Sequence, residues 1–259
     1  MELNYKVFGQ GDPLLILHGM FGTLDNWQTI GKQLAEHFTV YLLDQRNHGR
    51  SPHDYLIDYP TMAADLKHFM ESHWMFKAHI LGHSMGGKTA MQFALEQPDM
   101  VDKLVVVDVA PKRYSGGHEE ILAAILALDL NQVESRGDAE LFLRQRLTNQ
   151  DEGTILFLMK NLSRNPQGGF EWKMNFPAIN AHYQDILAGI EMEATFEGDT
   201  LFIRGEQSKY IQDADWQAIL KLFPQARLET VSNAGHWVHA DQPKVLLEMV
   251  RSFLFKVAD

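Results

Sequence analysis

Residues Ala78–Gln97 read AHILGHSMGGKTAMQFALEQ, and the parsing of this stretch decides the fold. AHILG is a short apolar run of β-formers, and KTAMQFALEQ has helical spacing. Between them lies Gly82-His83-Ser84-Met85-Gly86-Gly87, a G-x-S-x-G pattern wedged between strand and helix. A serine on so sharp a turn sits in strained backbone, and a side chain at either flanking glycine would crowd it. The turn presents the hydroxyl at the carboxyl end of the sheet and sets the next amide at the positive end of the helix. Ser84 therefore reads as a nucleophile. An ordinary glycine-rich turn would leave the Gly86-Gly87 pair without a reason.

Outward from this turn the chain alternates two periods. Strand-like runs fall at Pro13–His18, Phe38–Asp44, Ala78–Gly82 and Lys103–Val109. Helical faces lie between them, marked by Trp27, Ile30 and Leu34, by Met62, Leu66, Phe69 and Met70, and by Met91, Ala94 and Leu95. Strands apolar throughout, separated by amphipathic helices, imply a mostly parallel, doubly wound α/β sheet covered on both faces. The rhythm stops after Ala110-Pro111. From about Tyr114 to Glu193 no strand is evident, only helical stretches such as Ile121–Leu130, Ala139–Leu147 and Thr154–Leu162. It resumes with Thr200–Arg204, a helix around Asp215–Phe223, a strand at Ala226–Val231 and a last helix from Pro243 to about Phe255. The expected division is a core of residues 1–111 and 194–259, with a helical cap at 112–193 for which Asn165–Phe170 could act as a hinge.

Composition narrows the function classes. The 259 residues are 45% hydrophobic, enough for one large core, and carry a formal net charge of −11. That charge, with no Lys/Arg run, argues against nucleic acid. Residues 1–12 mix Glu2, Asn4, Lys6 and Asp12 with isolated apolar positions, unlike a signal peptide. No stretch approaches the roughly 18 consecutive apolar residues of a membrane span. The chain has no cysteine, so disulfides, a thiol nucleophile and thiolate metal sites are excluded, and a cytoplasmic setting is expected. No helical His pairing suggests a metal, no glycine loop suits a phosphate, and no cofactor is expected.

Two more turns complete the chemistry. Leu17-His18-Gly19-Met20-Phe21-Gly22 follows the first buried strand run and can aim backbone N–H groups at a developing oxyanion. Met20 is the expected donor there, with Phe21 next, and the Met85 amide is the second donor. Ser232-Asn233-Ala234-Gly235-His236-Trp237 lies between the last strand and last helix, so His236 can reach Ser84 as general base. Phe21, His83 and Trp237 are candidate substrate contacts, His18 a structural residue of its loop, and His239 a packing or surface residue. Asp44 and Arg46 are expected to pair with each other or with backbone, and Lys88, one helical turn after Ser84, to lie near it.

In these motifs the chain resembles the α/β-hydrolase superfamily from end to end. The match is nearest to bacterial YbfF-type esterases and their animal abhydrolase-domain relatives. The residues that carry it are His18–Gly22 (HGMFG), Asp44–Pro52 (DQRNHGRSP), Gly82–Lys88 (GHSMGGK), Val107–Pro111 (VDVAP) and Ala234–His239 (AGHWVH). The resemblance implies a Ser–acid–His order and leaves the acid to be found. Many members carry it just after the strand read here as Thr200–Arg204, but Ser208 stands there. Glu206 and Asp213 are nearby substitutes. Asp108, at the end of an apolar strand run, is the preferred acid, since a buried carboxylate there needs a partner and His236 suits it. YbfF-type proteins resemble this chain in placing the acid on that strand.

The expected activity is hydrolysis of carboxylic esters through an acyl-enzyme on Ser84, with short to medium acyl chains, acyl-CoA thioesters being consistent with the resemblance. Ile121, Leu122, Ile125, Phe142, Leu156, Phe157, Met159 and Trp172 are candidates for the acyl pocket. The alternative is a lyase or carbon–carbon bond hydrolase using the same residues, to be favoured if Arg113, Arg136, Arg144, Arg146 or Arg164 faced Ser84. A non-catalytic binding module is the third reading. The partner is a small-molecule ester or thioester, and the protein a monomer or small homo-oligomer.

Overall fold

A computed structural model describes residues 1–150 and 152–255. The first half runs β1 (Tyr5–Phe8), β2 (Asp12–Leu17), α1 (Gln28–Leu34), β3 (Phe38–Leu43), α2 (Tyr59–Ser72), β4 (Ala78–His83), α3 (Met85–Glu96) and β5 (Val101–Val107). Between β5 and the next strand of the main sheet lie α4 (Glu119–Leu126), α5 (Arg136–Arg146), α6 (Glu152–Met159), β6 (Leu162–Arg164), β7 (Phe170–Trp172), α7 (Phe176–Ala181) and α8 (Tyr183–Leu187). The chain closes with β8 (Thr200–Gly205), α9 (Trp216–Leu222), β9 (Ala226–Val231), α10 (Val238–Asp241) and α11 (Pro243–Phe255).

Seven strands form one sheet in the order β1-β3-β2-β4-β5-β8-β9, all parallel except the β1–β3 pair. The central strands are buried on both faces, which is why they read as unbroken apolar runs rather than alternating ones. Their period of two still sorts the faces: Leu15 and Leu17 pack with Met62, Leu66 and Met91, whereas Leu14 and Ile16 pack with Trp27, Ile30 and Val250.

Register determines what can meet. Leu17 pairs with Gly82, His83 with Val107, Val107 with Ile203, and Gly205 with Val231. The residues that follow these strands therefore emerge at one edge of the sheet, its carboxyl edge, where ligands of open α/β sheets bind.

Two expectations change and a third narrows. The segment between β5 and β8 is not purely helical, because Leu162–Arg164 and Phe170–Trp172 pair as an antiparallel hairpin. Three residues per strand are too few to show an alternation in sequence. The Asn165–Phe170 stretch is the turn of that hairpin rather than a hinge: Asn165 Oδ1 accepts from Gly169 N at 2.9 Å, and Gly168 takes a φ of +89°. Of the two partnerships expected for Asp44 and Arg46, the one with each other does not form and the one with backbone does, Arg46 also donating to Leu56 O at 2.8 Å. Arg46 pairs with Asp65 on α2 at 2.6 Å, while Asp44 accepts from the amides of Leu24 at 2.8 Å and Arg50 at 2.9 Å, tying the loop after β3 to the one after β2.

Candidate active site

Ser84 occupies the junction of β4 and α3 with φ +53° and ψ −120°, a conformation that costs an L-residue energy and must be held by its surroundings. Its amide donates to Val107 O at 3.0 Å, and its carbonyl accepts from Lys88 N at 3.1 Å. Crowding explains the glycines. A Cβ at Gly82 would stand 2.2 Å from Gly86 O, one at Gly86 2.5 Å from both Leu17 O and His18 O, and one at Gly87 2.6 Å from a Val109 methyl.

His236, in the loop after β9, bridges two partners: Nε2 lies 3.0 Å from Ser84 Oγ and Nδ1 lies 2.7 Å from Asp108 Oδ2. Against a carboxylate Nδ1 carries the proton, which leaves Nε2 to accept from the serine hydroxyl. Asp108 is fully buried and itself has a positive φ of +51°. Its charge is met by three donors, because Gly205 N donates to Oδ1 at 3.0 Å and Ser208 Oγ donates to the same Oδ2 that receives His236. Ser208 is thus part of the site, as the donor that positions a carboxylate supplied by the neighbouring strand. Glu206 accepts from Asn233 N at 3.0 Å and Asp213 pairs with Arg204 at 2.6 Å, both at the surface, and neither reaches His236.

The side chains around this chain of bonds are held in turn. Tyr210 stacks on the His236 ring at 3.7 Å and 14° and so fixes the plane of the imidazole. His83 donates from Nε2 to His236 O at 2.9 Å and so anchors that loop from below, and burial pushes its ring well below the usual imidazole range. His239 stacks on Trp27 at 4.6 Å, and burial lowers it to about 3. His18 donates from Nδ1 to Gly19 O at 2.8 Å and accepts from Gln45 N at 3.1 Å, with burial lowering it to about 4. It shapes the loop that carries Met20 and Phe21. Met85 opens α3, so its amide has no intrahelical acceptor, and the Met20 amide has none among the described residues. Phe21 has a φ of +62°, its carbonyl accepts from Asn161 Nδ2 at 2.7 Å, and its ring packs 5.9 Å from that of Phe176.

A cavity of about 200 Å³ is lined by Ser84 and His236 together with Met20, Phe21, Met85 and Trp237. Of the expected pocket residues, Ile121 and Phe157 line it. Leu122, Ile125 and Met159 are buried among the helices between β5 and β8, and Leu156 is exposed. None of the five arginines whose facing Ser84 would have favoured a lyase lines the cavity: Arg136 donates to Leu162 O at 2.9 Å, and Arg144 pairs with Glu140 at 2.7 Å. Tyr59, Tyr114, His118 and Lys88 also line it and were not singled out as site residues by sequence; only the place of Lys88 one turn after Ser84 hinted at this. Among the described residues no group of three His, Asp or Glu side chains converges as metal ligands would.

A parallel sheet with a strained serine between central strand and helix, a histidine loop after the last strand and a buried strand-end carboxylate defines the α/β hydrolase class. The chain belongs to that family: the profile of the alpha/beta hydrolase fold matches residues 12–243. It is 39% identical to the sn-1-specific diacylglycerol lipase ABHD11 of Danio rerio over 98% of this chain and 83% of that one. It is 37% identical to Esterase YbfF of Escherichia coli over 93% of this chain and 92% of that one. A solved structure described as a marine microorganism esterase superposes with a TM-score of 0.95 at 40% identity, over 97% of this chain and 99% of that one.

Proposed function

We propose that this chain is a carboxylic ester hydrolase that works through an acyl-enzyme on Ser84. The observation that carries the reading is the single imidazole of His236, 3.0 Å from Ser84 Oγ on one side and 2.7 Å from Asp108 Oδ2 on the other. Ser84 Oγ attacks the acyl carbon as His236 Nε2 takes its proton; Asp108 stabilises the imidazolium, and the same proton then goes to the leaving alcohol. The amides of Met85 and Met20 receive the oxyanion, each worth about 3 kcal/mol of barrier in comparable sites. Water, activated by His236, cleaves the acyl-enzyme in the second half. Ser208 acts here as a positioning residue, since its hydroxyl holds the oxygen that His236 needs.

Residues 112–193 serve as a cap whose face toward Ser84, with Ile121, Phe157 and Ile186, forms the wall of the acyl site. A largely apolar cavity of about 200 Å³ suits short to medium acyl chains, as esters or thioesters, in a cytoplasmic setting. The five arginines that would have supported a lyase or carbon–carbon bond hydrolase do not line the cavity, so the cap adds nothing to that reading. A fluorophosphonate probe tests it directly, read with a p-nitrophenyl ester chain-length series. Labelling that maps to Ser84 together with turnover of acetate to hexanoate esters is expected. Labelling without turnover of any ester would move the assignment to the lyase.

A further inference from the structure

The cavity beside Ser84 holds one feature that ester hydrolysis does not use. Although the chain carries a net charge of −11, among the described residues no Asp or Glu lines this cavity, and the one lysine or arginine that does is Lys88. Lys88 is 1% exposed. It extends from α3 one turn beyond the nucleophile, and Cβ atoms four residues apart on a helix lie about 6 Å from each other. Its Nζ donates to Leu187 O at 3.3 Å and to Ala188 O, and lies 4.8 Å from the Tyr114 ring and 5.4 Å from that of Tyr59. Two carbonyls account for two of the three N–H donors, and no carboxylate pairs with the ammonium among the described residues. A buried cation without an anion is costly, and burial, helped by the charge of Arg113, lowers this one to about 7. A structural lysine in so acidic a chain would ordinarily sit against a carboxylate. Here Lys88 lines the substrate cavity instead, as do the two tyrosines beside its ammonium.

We propose that the substrate itself brings the missing anion: a carboxylate on the ester is received by Lys88, which makes Lys88 a specificity-determining residue. The proposal rests on the ester-hydrolase reading and narrows it to carboxylate-bearing esters. On the acyl side that carboxylate is the free end of the half-ester of a short dicarboxylic acid.

Turnover of monomethyl succinate, glutarate and adipate is compared with that of methyl butyrate, pentanoate and hexanoate, with the butyrate ester of glycolic acid carrying its carboxylate on the alcohol side. The wild-type protein is expected to favour a half-ester over its neutral partner by about tenfold to a hundredfold in kcat/KM, the worth of one charge-assisted hydrogen bond. Lys88→Met should bring that ratio to about one or below. A preference shown only by the glycolate ester would keep Lys88 as the receiver and move the carboxylate to the leaving group. Neutral esters favoured at every length, with the glycolate ester no better, would overturn the proposal, as would an unchanged ratio in a folded Lys88→Met. If that variant does not fold, the wild-type ratio decides alone. Calorimetry of adipate and hexanoate with Ser84→Ala separates the two readings, because it needs no turnover. Adipate bound more tightly by a protein that cleaves no ester would sink the hydrolase and keep the carboxylate site.

Discussion

Ser84 and Asp108 stand side by side at the ends of adjacent strands, and both are non-glycine residues in left-handed backbone, with φ of +53° and +51°. What holds them there differs. The Ser84 turn is held by close packing, with Gly82, Gly86 and Gly87 each allowing a neighbour to approach where a Cβ could not fit. The Asp108 corner is held by hydrogen bonds from distant residues: Gly205 N, Ser208 and His236 lie roughly a hundred or more positions away. A conformation enforced by local sterics leaves a mark in the local sequence. One enforced by long-range donors does not.

The largest expected effect tests the first of the pair. Ser84→Ala should lower kcat for a p-nitrophenyl ester by about a millionfold, the cost of deleting a nucleophile whose partners act with it as a unit. Residual turnover above a hundredth of wild type would mean that another group attacks. Asp108→Asn should cost about ten-thousandfold in kcat through the wrong imidazole tautomer, with an unchanged melting curve for the remainder of the fold. Glu206→Gln and Asp213→Asn should turn over like wild type, and a reversal of this pattern would return the acid to the β8 side. Smaller, and sharper as a probe of the corner, is Ser208. Loss of its hydroxyl in Ser208→Ala should lower kcat by about tenfold, a modest loss because the carboxylate keeps two of its donors. In Asp108→Asn the additional change Ser208→Asp should recover at least tenfold of the lost activity, because the side chain at 208 already reaches the Asp108 oxygen that bonds His236. No recovery would show that the corner, and not the distance, selects position 108.

The smallest effect separates the two sides by pH. His18 and His239, about the Ser84 turn, are lowered by burial to about 4 and about 3. With folded values below the unfolded value near 6.5, the unfolded chain binds protons first. Their contribution is therefore complete above pH 6.5 and is lost as pH falls toward 4. Melting temperature should drop over that window, and the drop should shrink in His239→Gln, with amides of the loops after β2 and β9 exchanging sooner than those at the β5–β8 corner. Equal exchange on the two sides would break the contrast.

Most of the sheet and the helices around it could be read in the chain, because strands buried on both faces must be apolar throughout, as Leu104–Val107 is, and because Gly82–Gly87 can hardly be read another way. The β6–β7 hairpin was not legible, being too short for a pattern. Nor was the partner of Arg46, since Asp65 lies on a different element and charge in sequence does not say which loops adjoin. Among the residues about the site, Ser208 was visible as a place where a carboxylate was missing, but its hydrogen bond to Asp108 was not. Tyr210, stacked on His236, carried no signal at all.

By itself the sequence determined the class of fold, the serine on its turn and the histidine loop after the last strand, since each follows from local sterics and from the periods of burial. Only the tertiary structure decided which carboxylate stands behind His236, that Ser208 and Gly205 hold it, and that Lys88 lines the cavity with no carboxylate partner among the described residues. Those facts depend on the register of β5 against β8 and on where α8 lies over α3. Such relations join residues far apart in the chain, and their energies come from contacts that no local pattern encodes.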